Sequence, residues 1–91
     1  MIRVLIVDDS NTIRMILKEL LNADPEIEVV GEAVDGRVAV DMTRLLKPDL
    51  ITMDVAMPVM DGLAATRRIM KENPTPIIVV TAKSNFQEMN V

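Results

Sequence analysis

The chain has 91 residues and a formal net charge of −4, and 49% of its residues are apolar, which favours one globular domain and excludes a disordered chain. It contains neither cysteine nor histidine, which excludes disulfide scaffolds, thiolate zinc sites and serine–histidine catalytic triads. Its acidity and its single aromatic residue, Phe86, disfavour direct nucleic-acid binding, and its apolar runs are too short to span a membrane.

The first half of the sequence predicts two strands that alternate with two helices. Ile2–Val7 is an apolar, β-branched run, which is typical of a strand buried on both faces. Ser10 is a predicted N-cap, and the residues after it form one apolar stripe at helical spacing: Ile13, Ile16, Leu17, Leu20 and Leu21. A second strand is predicted at Ile27–Val34. Asp35-Gly36 then predicts a turn into a second helix, which Lys47-Pro48 ends.

The second half continues the same alternation. Leu50–Met53 is a predicted strand, a helix follows from about Leu63 to Lys71, and Ile77–Val80 is a fourth strand. Residues 82–91 are compatible with the start of a fourth helix or with a frayed end. Strands separated by helices predict a doubly wound α/β domain over residues 1–91, with a parallel sheet, right-handed crossovers and helices on both faces.

Carboxylates and a hydroxyl follow the predicted strands where each one ends. Asp8 and Asp9 follow the first strand, Asp54 follows the third, and Thr81 follows the fourth. In open parallel sheets, binding sites form outside the carboxyl ends of the strands. The sequence therefore predicts that these side chains share one edge of the sheet.

Three carboxylates at one edge repel one another, by roughly 4 kcal/mol per pair at ~4 Å and an effective dielectric constant of ~20. Either protons remain bound or a cation compensates. Oxygen ligands without histidine or cysteine favour a hard cation, Mg²⁺ or Mn²⁺. An aspartate beside such an ion is a suitable nucleophile toward phosphorus. We expect the Thr81 hydroxyl to donate a hydrogen bond to a phosphoryl oxygen.

Each of these residues also has a purely structural interpretation. Aspartate and serine after a strand are common helix caps, and Asp35 and Asp61 fit that role without any chemistry. The structural interpretation weakens for Asp8, Asp9 and Asp54, because three carboxylates and a hydroxyl follow neighbouring strands of one sheet.

Four segments carry a resemblance to a known family. Together they resemble the receiver domain of response regulators in two-component signalling: Val4–Ser10, Asp49–Asp54, Met57–Gly62 and Ile77–Ala82. Within the family, Asp24–Glu32 and Asn73–Ile77 are most similar to receivers of chemotaxis protein-glutamate methylesterases. The resemblance implies a flavodoxin-like sheet with strand order 2-1-3-4-5.

The resemblance also implies a role for each site residue. Asp54 would accept a phosphoryl group from a histidine kinase. Mg²⁺ would be bound directly by Asp9, largely through water by Asp8, and by Asp54 and the backbone carbonyl of Ala56. Thr81 would be the switch hydroxyl that moves toward the phosphoryl group. The implied partners are the kinase and an output domain, in the cytoplasm.

The sequence departs from the family pattern at its C-terminal end. The family's fifth strand, fifth helix and the lysine that ends the fifth strand have no counterpart, and Lys83 does not occupy that position. A phosphoryl group brings roughly −2 of charge. Because the lysine that would offset part of this charge is missing, we expect slow phosphorylation and weak coupling to Thr81.

Ile77–Val80 would be an unprotected apolar edge strand. We expect a homodimer, an exchange of elements between two copies, or a separate segment that supplies the missing unit.

The residues leave three alternative interpretations. The chain could be a structural fragment whose acidic site is inherited but idle, and Mg²⁺ binding followed by phosphorylation distinguishes this case. An aspartate-nucleophile phosphohydrolase would require a second aspartate two residues after Asp54, where Ala56 stands. A dinucleotide-binding domain is disfavoured because Asp8-Asp9-Ser10 replaces the glycine-rich loop and would repel a pyrophosphate.

Overall fold

Four strands and three helices alternate in the computed structural model, which describes residues 1–80. They are β1 (Ile2–Val7), α1 (Asn11–Asn22), β2 (Ile27–Ala33), α2 (Gly36–Leu46), β3 (Leu50–Met53), α3 (Gly62–Glu72) and β4 (Ile77–Val79). The predicted elements are confirmed, and their ends differ from the predicted ones by a single residue at β2, α3 and β4. The predictions for Thr81 and for residues 82–91 lie outside the described part of the chain.

All neighbouring strands are parallel, in the order β2-β1-β3-β4. The chain moves from β1 to one side for β2 and then crosses to the other side for β3. Right-handed crossovers in opposite directions place α1 on one face of the sheet and α2 and α3 on the other. The predicted doubly wound α/β fold is therefore confirmed.

The register brings the carboxyl ends of the strands to one level. Val7 pairs with Ala33 on one side and with Met53 on the other, and Met53 pairs with Val79. These four residues form one row across the sheet. The residues that follow them consequently emerge along a single edge.

The main hydrophobic core lies between the sheet and the pair α2 and α3. Its buried residues are Leu5, Val7, Ala33, Ala39, Val40, Ile51, Met53, Ala65 and Ile69. Val4 and Ile6 are equally buried. They point to the opposite face of β1, because side chains alternate along a strand, and α1 packs there. The central strand β1 is thus buried on both faces, as its sequence predicts.

The apolar stripe of α1 is only partly covered. Ile13, Leu17 and Leu21 are half-buried, whereas Ile16 and Leu20 are 48% and 66% exposed. The one buried residue of α1 is Arg14, which is 8% exposed. Within residues 1–80, α1 contacts β1 and β2, so the side of the helix that faces away from β2 remains open.

Aspartates cap α2 and α3 at their N-termini. The carboxylate of Asp35 accepts a hydrogen bond from the Val38 N–H at 2.9 Å, and that of Asp61 accepts one from the Ala64 N–H at 2.8 Å. Such caps satisfy an N–H group that the first helical turn leaves unpaired. The structural interpretation of these two aspartates is confirmed. None of the helices in residues 1–80 has the length and apolarity needed to cross a bilayer.

Candidate functional site

The backbone fixes Asp8 and Asp54 side by side at the carboxyl edge of the sheet. The Asp54 N–H donates to the carbonyl oxygen of Val7 at 2.9 Å, and the Asp8 N–H donates to that of Ala33 at 3.1 Å. Both bonds continue the parallel ladder one residue beyond the strands. The point where the chain direction across the sheet reverses lies between β1 and β3, which is where open α/β sheets bind ligands.

Asp8, Asp9 and Asp54 form an acidic cluster. One carboxylate oxygen from each lies within 4.8 Å of the other two. Asp8 and Asp54 are only 3% and 4% exposed, while Asp9 is exposed at the rim. The Ser10 N–H donates to Oδ1 of Asp8 at 2.8 Å, and the Val55 N–H donates to Oδ1 of Asp54 at 2.9 Å. These bonds fix the rotation of the two buried carboxylates.

The cluster has the ligand composition that a hard cation prefers, and its oxygens lie within 4.8 Å of one another. Mg²⁺–oxygen distances of about 2.0–2.1 Å place its ligand oxygens roughly 2.9–4.2 Å apart, close to the spacing in the cluster. Its ligand atoms are all oxygen, which favours Mg²⁺ or Mn²⁺ over softer metals. Ala56 lies in the exposed part of the loop two residues beyond Asp54. The carbonyl of Ala56 stays a predicted ligand. The switch role of Thr81, which lies beyond residue 80, also stays a prediction.

The loop from Val55 to Asp61 folds back against the site through two glycines. The Gly62 N–H donates to the carbonyl of Val55 at 2.8 Å, and the Gly36 N–H donates to that of Met60 at 2.9 Å. A Cβ atom on Gly62 would lie 2.0 Å from the carbonyl oxygen of Asp54, and one on Gly36 would lie 2.4 Å from that of Met60. The close contact between the backbone segments therefore requires glycine, which has no Cβ atom, at both positions.

Val59 occupies a strained turn in the same loop. Its φ is 67°, and the Met60 N–H donates to the carbonyl of Pro58 at 2.7 Å across it. This is the pattern of the rare γ-turn with positive φ. A β-branched residue at positive φ is an outlier, and Val59 is 82% exposed. Because the Val59 side chain is so exposed, its packing offsets little of the backbone strain beside the site.

We expect Val59→Gly to raise the free energy of unfolding by about 1 kcal/mol. Relief of roughly 1–3 kcal/mol of backbone strain exceeds the added flexibility of glycine in the unfolded chain. Urea denaturation followed by circular dichroism measures the change. Val34→Gly is the matched control, because Val34 is also partly exposed, at 47%, but does not have a positive φ. If both substitutions lowered the free energy of unfolding, the claim that Val59 strains the backbone would be wrong.

Sequence reasoning missed Arg14, whose guanidinium contacts the carbonyl of Asp8 at 2.7 Å. The signal was its spacing. Arg14 precedes Leu17 and Leu21 by three and seven residues, so it shares their side of α1. A long cation on the inner side of an amphipathic helix requires buried partners, and the sequence alone does not identify them.

Comparison with known sequences matches residues 4–91 to the response regulator receiver domain. Protein-glutamate methylesterase/protein-glutamine glutaminase 4 of Geobacter metallireducens is 53% identical over 89 residues, which are 98% of this chain and 26% of that protein. The corresponding protein 3 of Anaeromyxobacter dehalogenans is 56% identical over 82 residues, or 90% of this chain and 24% of that protein. The chain spans about a quarter of the length of these relatives.

Solved structures show the same similarity. The response regulator domain of Thermotoga maritima CheB superposes with a TM-score of 0.88 and 42% identity, covering 98% of this chain and 71% of that one. The CheX-CheY-BeF3-Mg+2 complex from Borrelia burgdorferi gives a TM-score of 0.82 and 28% identity, covering 98% of this chain and 68% of the matched chain.

Proposed function

Because the chain belongs to the response regulator receiver domain family, we propose that Asp54 accepts a phosphoryl group from a histidine kinase beside a Mg²⁺ ion. The observation that carries the proposal is the convergence of Asp8, Asp9 and Asp54 within 4.8 Å at the centre of the sheet edge. Within the cluster, Asp9 is proposed to bind the ion directly and Asp8 largely through water. The carbonyl of Ala56 and one oxygen of Asp54 complete the protein ligands.

The proposed reaction is a nucleophilic substitution at phosphorus. A carboxylate oxygen of Asp54 attacks the phosphorus of the donor's phosphohistidine. The P–N bond breaks as the O–P bond forms, the donor's histidine takes up a proton from solvent and leaves as neutral imidazole, and an acyl phosphate remains on Asp54. The Val55 N–H on Oδ1 holds the carboxylate in one orientation during the attack. Bound Mg²⁺ supplies positive charge that offsets the carboxylates and the phosphoryl oxygens. The Thr81 hydroxyl is proposed to act as the switch and to move toward the phosphoryl group after the transfer.

The decisive test is the Asp54→Asn substitution. We expect the unmodified chain to gain one phosphoryl group, detected by intact mass spectrometry, when it is incubated with Mg²⁺ and acetyl phosphate. Asp54→Asn is expected to abolish the adduct, because the amide is a much weaker nucleophile than the carboxylate. Asp41→Asn, which alters an exposed carboxylate on α2, should leave the adduct unchanged.

Two outcomes would overturn the proposal. An adduct that persists in Asp54→Asn would place the modification elsewhere. The absence of an adduct on folded, unmodified chain would favour an inherited but idle acidic site. Removal of Mg²⁺ with a chelator provides a further control, since the adduct should then form much more slowly.

The proposed output follows from the named relatives. They are protein-glutamate methylesterases and protein-glutamine glutaminases, and the chain matches about a quarter of their length at 53–56% identity. In this proposal the receiver controls such an enzymatic domain in a longer cytoplasmic chemotaxis protein. The site residues described here belong to the phosphoacceptor and not to the esterase reaction.

The proposal also includes an association through β4. Within residues 1–80, β4 is the last strand of the sheet and pairs with β3 alone. Its Ile78 and Val79 are 53% and 52% exposed. An apolar strand edge of this kind favours pairing with a strand from another chain. A second copy of the 91-residue chain is the proposed partner.

A further inference from the structure

Arg14 is a buried cation whose three guanidinium nitrogens all have partners. Its side chain is 10% exposed. Nη1 donates to the carbonyl oxygen of Asp8 at 2.7 Å, Nε donates to Oε1 of Glu32 at 3.2 Å, and Nη2 donates to Oδ1 of Asn11. These acceptors lie at the end of β1, in β2 and at the start of α1. The side chain therefore links three elements that meet beside the acidic cluster.

The link to Asp8 acts on the turn that carries two of the three cluster residues. The carbonyl of Asp8 and the N–H of Asp9 belong to one planar peptide group. A hydrogen bond that fixes this carbonyl also fixes the plane from which both aspartates project. The Ser10 N–H then holds Oδ1 of Asp8 from the other side of the turn, at 2.8 Å.

Glu32 anchors the guanidinium from β2. Its carboxylate contacts Nε of Arg14 and, at 3.5 Å, Nζ of Lys18. The Lys18 side chain is 51% exposed, so its ion pair is screened by solvent and weak. The pair with Arg14 is more buried and charge-assisted, and the fixed geometry of guanidinium suits simultaneous contacts.

We propose that Arg14 is a positioning residue that holds the Asp8–Asp9 turn in the arrangement that binds the cation. The inference rests on the proposed function, because it assumes Mg²⁺ at the acidic cluster. Groups that orient metal ligands without touching the metal typically contribute about 10- to 100-fold to metal affinity.

The sign of the effect separates positioning from two other roles. If Arg14 acted only as a nearby positive charge, its removal would make the cluster more negative and would tighten Mg²⁺ binding. If it only stabilised the fold, its removal would lower the unfolding midpoint and leave the affinity of the folded protein unchanged. Positioning alone predicts weaker binding by folded protein.

The experiment measures the Mg²⁺ dissociation constant of the 91-residue chain by calorimetry, with the folded fraction of each sample determined by circular dichroism. We expect Arg14→Ala to weaken Mg²⁺ binding about tenfold, and Arg14→Lys to weaken it less, because an ammonium retains only part of the contacts. Arg14→Lys keeps the positive charge beside the cluster, so weaker Mg²⁺ binding by this variant is not a charge effect. It therefore provides a test even if Arg14→Ala does not fold.

Two control substitutions remove a positive charge without touching Asp8. Arg44→Ala removes an arginine of α2 that is 55% exposed, and Lys18→Ala removes the other cation on Glu32. Both should bind Mg²⁺ as the unmodified chain does. Unchanged or tighter Mg²⁺ binding by folded Arg14→Lys would overturn the inference. If the unmodified chain binds no Mg²⁺, the proposed function itself fails.

Discussion

Gly62→Ala is expected to lower the free energy of unfolding by about 3 kcal/mol or more. The added Cβ would lie 2.0 Å from the carbonyl oxygen of Asp54 and 2.9 Å from Cα of Val55. Both are backbone atoms that the β1–β3 ladder and the loop hold in place. Relief of the contact requires displacement of Asp54 itself. We therefore expect loss of Mg²⁺ binding together with the loss of stability.

This destabilisation would be the opposite of what helix propensity predicts for a glycine-to-alanine substitution. Gly62 is the first residue of α3 and its φ is not positive, so alanine fits the backbone conformation and favours the helix. Steric contact alone determines the expected outcome. Urea denaturation measures the stability change, and a Mg²⁺ titration followed by NMR measures the site.

Gly31→Ala is the matched control for steric contact. A Cβ on Gly31 would approach the side-chain ends of Met42 and Leu46, at 2.7 and 2.9 Å. Such flexible ends can move aside, and alanine is otherwise preferred to glycine in a strand. We expect this variant to stay within about 1 kcal/mol of the unmodified protein. Equal effects for Gly31→Ala and Gly62→Ala would refute the steric argument.

A polypeptide of this 91-residue sequence is expected to associate in solution rather than remain a monomer. The bonds from the Ile51 N–H to the Pro76 carbonyl and from the Val80 N–H to the Met53 carbonyl use one side of β4. Successive residues of a strand direct their backbone groups to opposite sides. Ile77 and Val79 therefore direct their N–H and C=O groups away from β3, where another strand can pair with them.

Light scattering coupled to size-exclusion chromatography measures this association. We expect the mean mass to approach that of a dimer as concentration rises. The double substitution Ile78→Lys and Val79→Lys should return it to that of a monomer, because lysines on an edge strand oppose pairing. Leu45→Lys is the control: Leu45 is 78% exposed on α2, so the substitution introduces the same charge away from the edge. A monodisperse, cooperatively unfolding monomer would contradict the proposal.

Features specified by local sequence were predictable. The strands are apolar runs, and Ser10, Asp35 and Asp61 identify helix starts because a capping side chain bonds a backbone N–H three residues away. The meeting of Asp8 and Asp54 followed from the alternation of elements, since that alternation predicts a parallel sheet with its carboxyl ends together. The roles of individual residues came from the family resemblance.

Features that depend on distant partners were not predictable. The burial of Arg14 requires the carboxylate of Glu32, which only the packing of α1 beside β2 brings near. The contact between Gly62 and Asp54 depends on the path of the intervening loop. Local preference argues against a positive φ at Val59, because a branched Cβ crowds the backbone there. The exposure of Ile16 and Leu20 depends on which elements cover α1.

The β1–β3 register also determines when the acidic site can exist during folding. Asp8 and Asp54 become neighbours only after the chain has formed a long loop through α1, β2 and α2 and β3 has docked beside β1. Closing such a loop is among the entropically costly steps of assembly. Partly folded forms without β3 have a divided site and no tight affinity for a cation. An ion bound across this register therefore stabilises the completed sheet selectively over its folding intermediates.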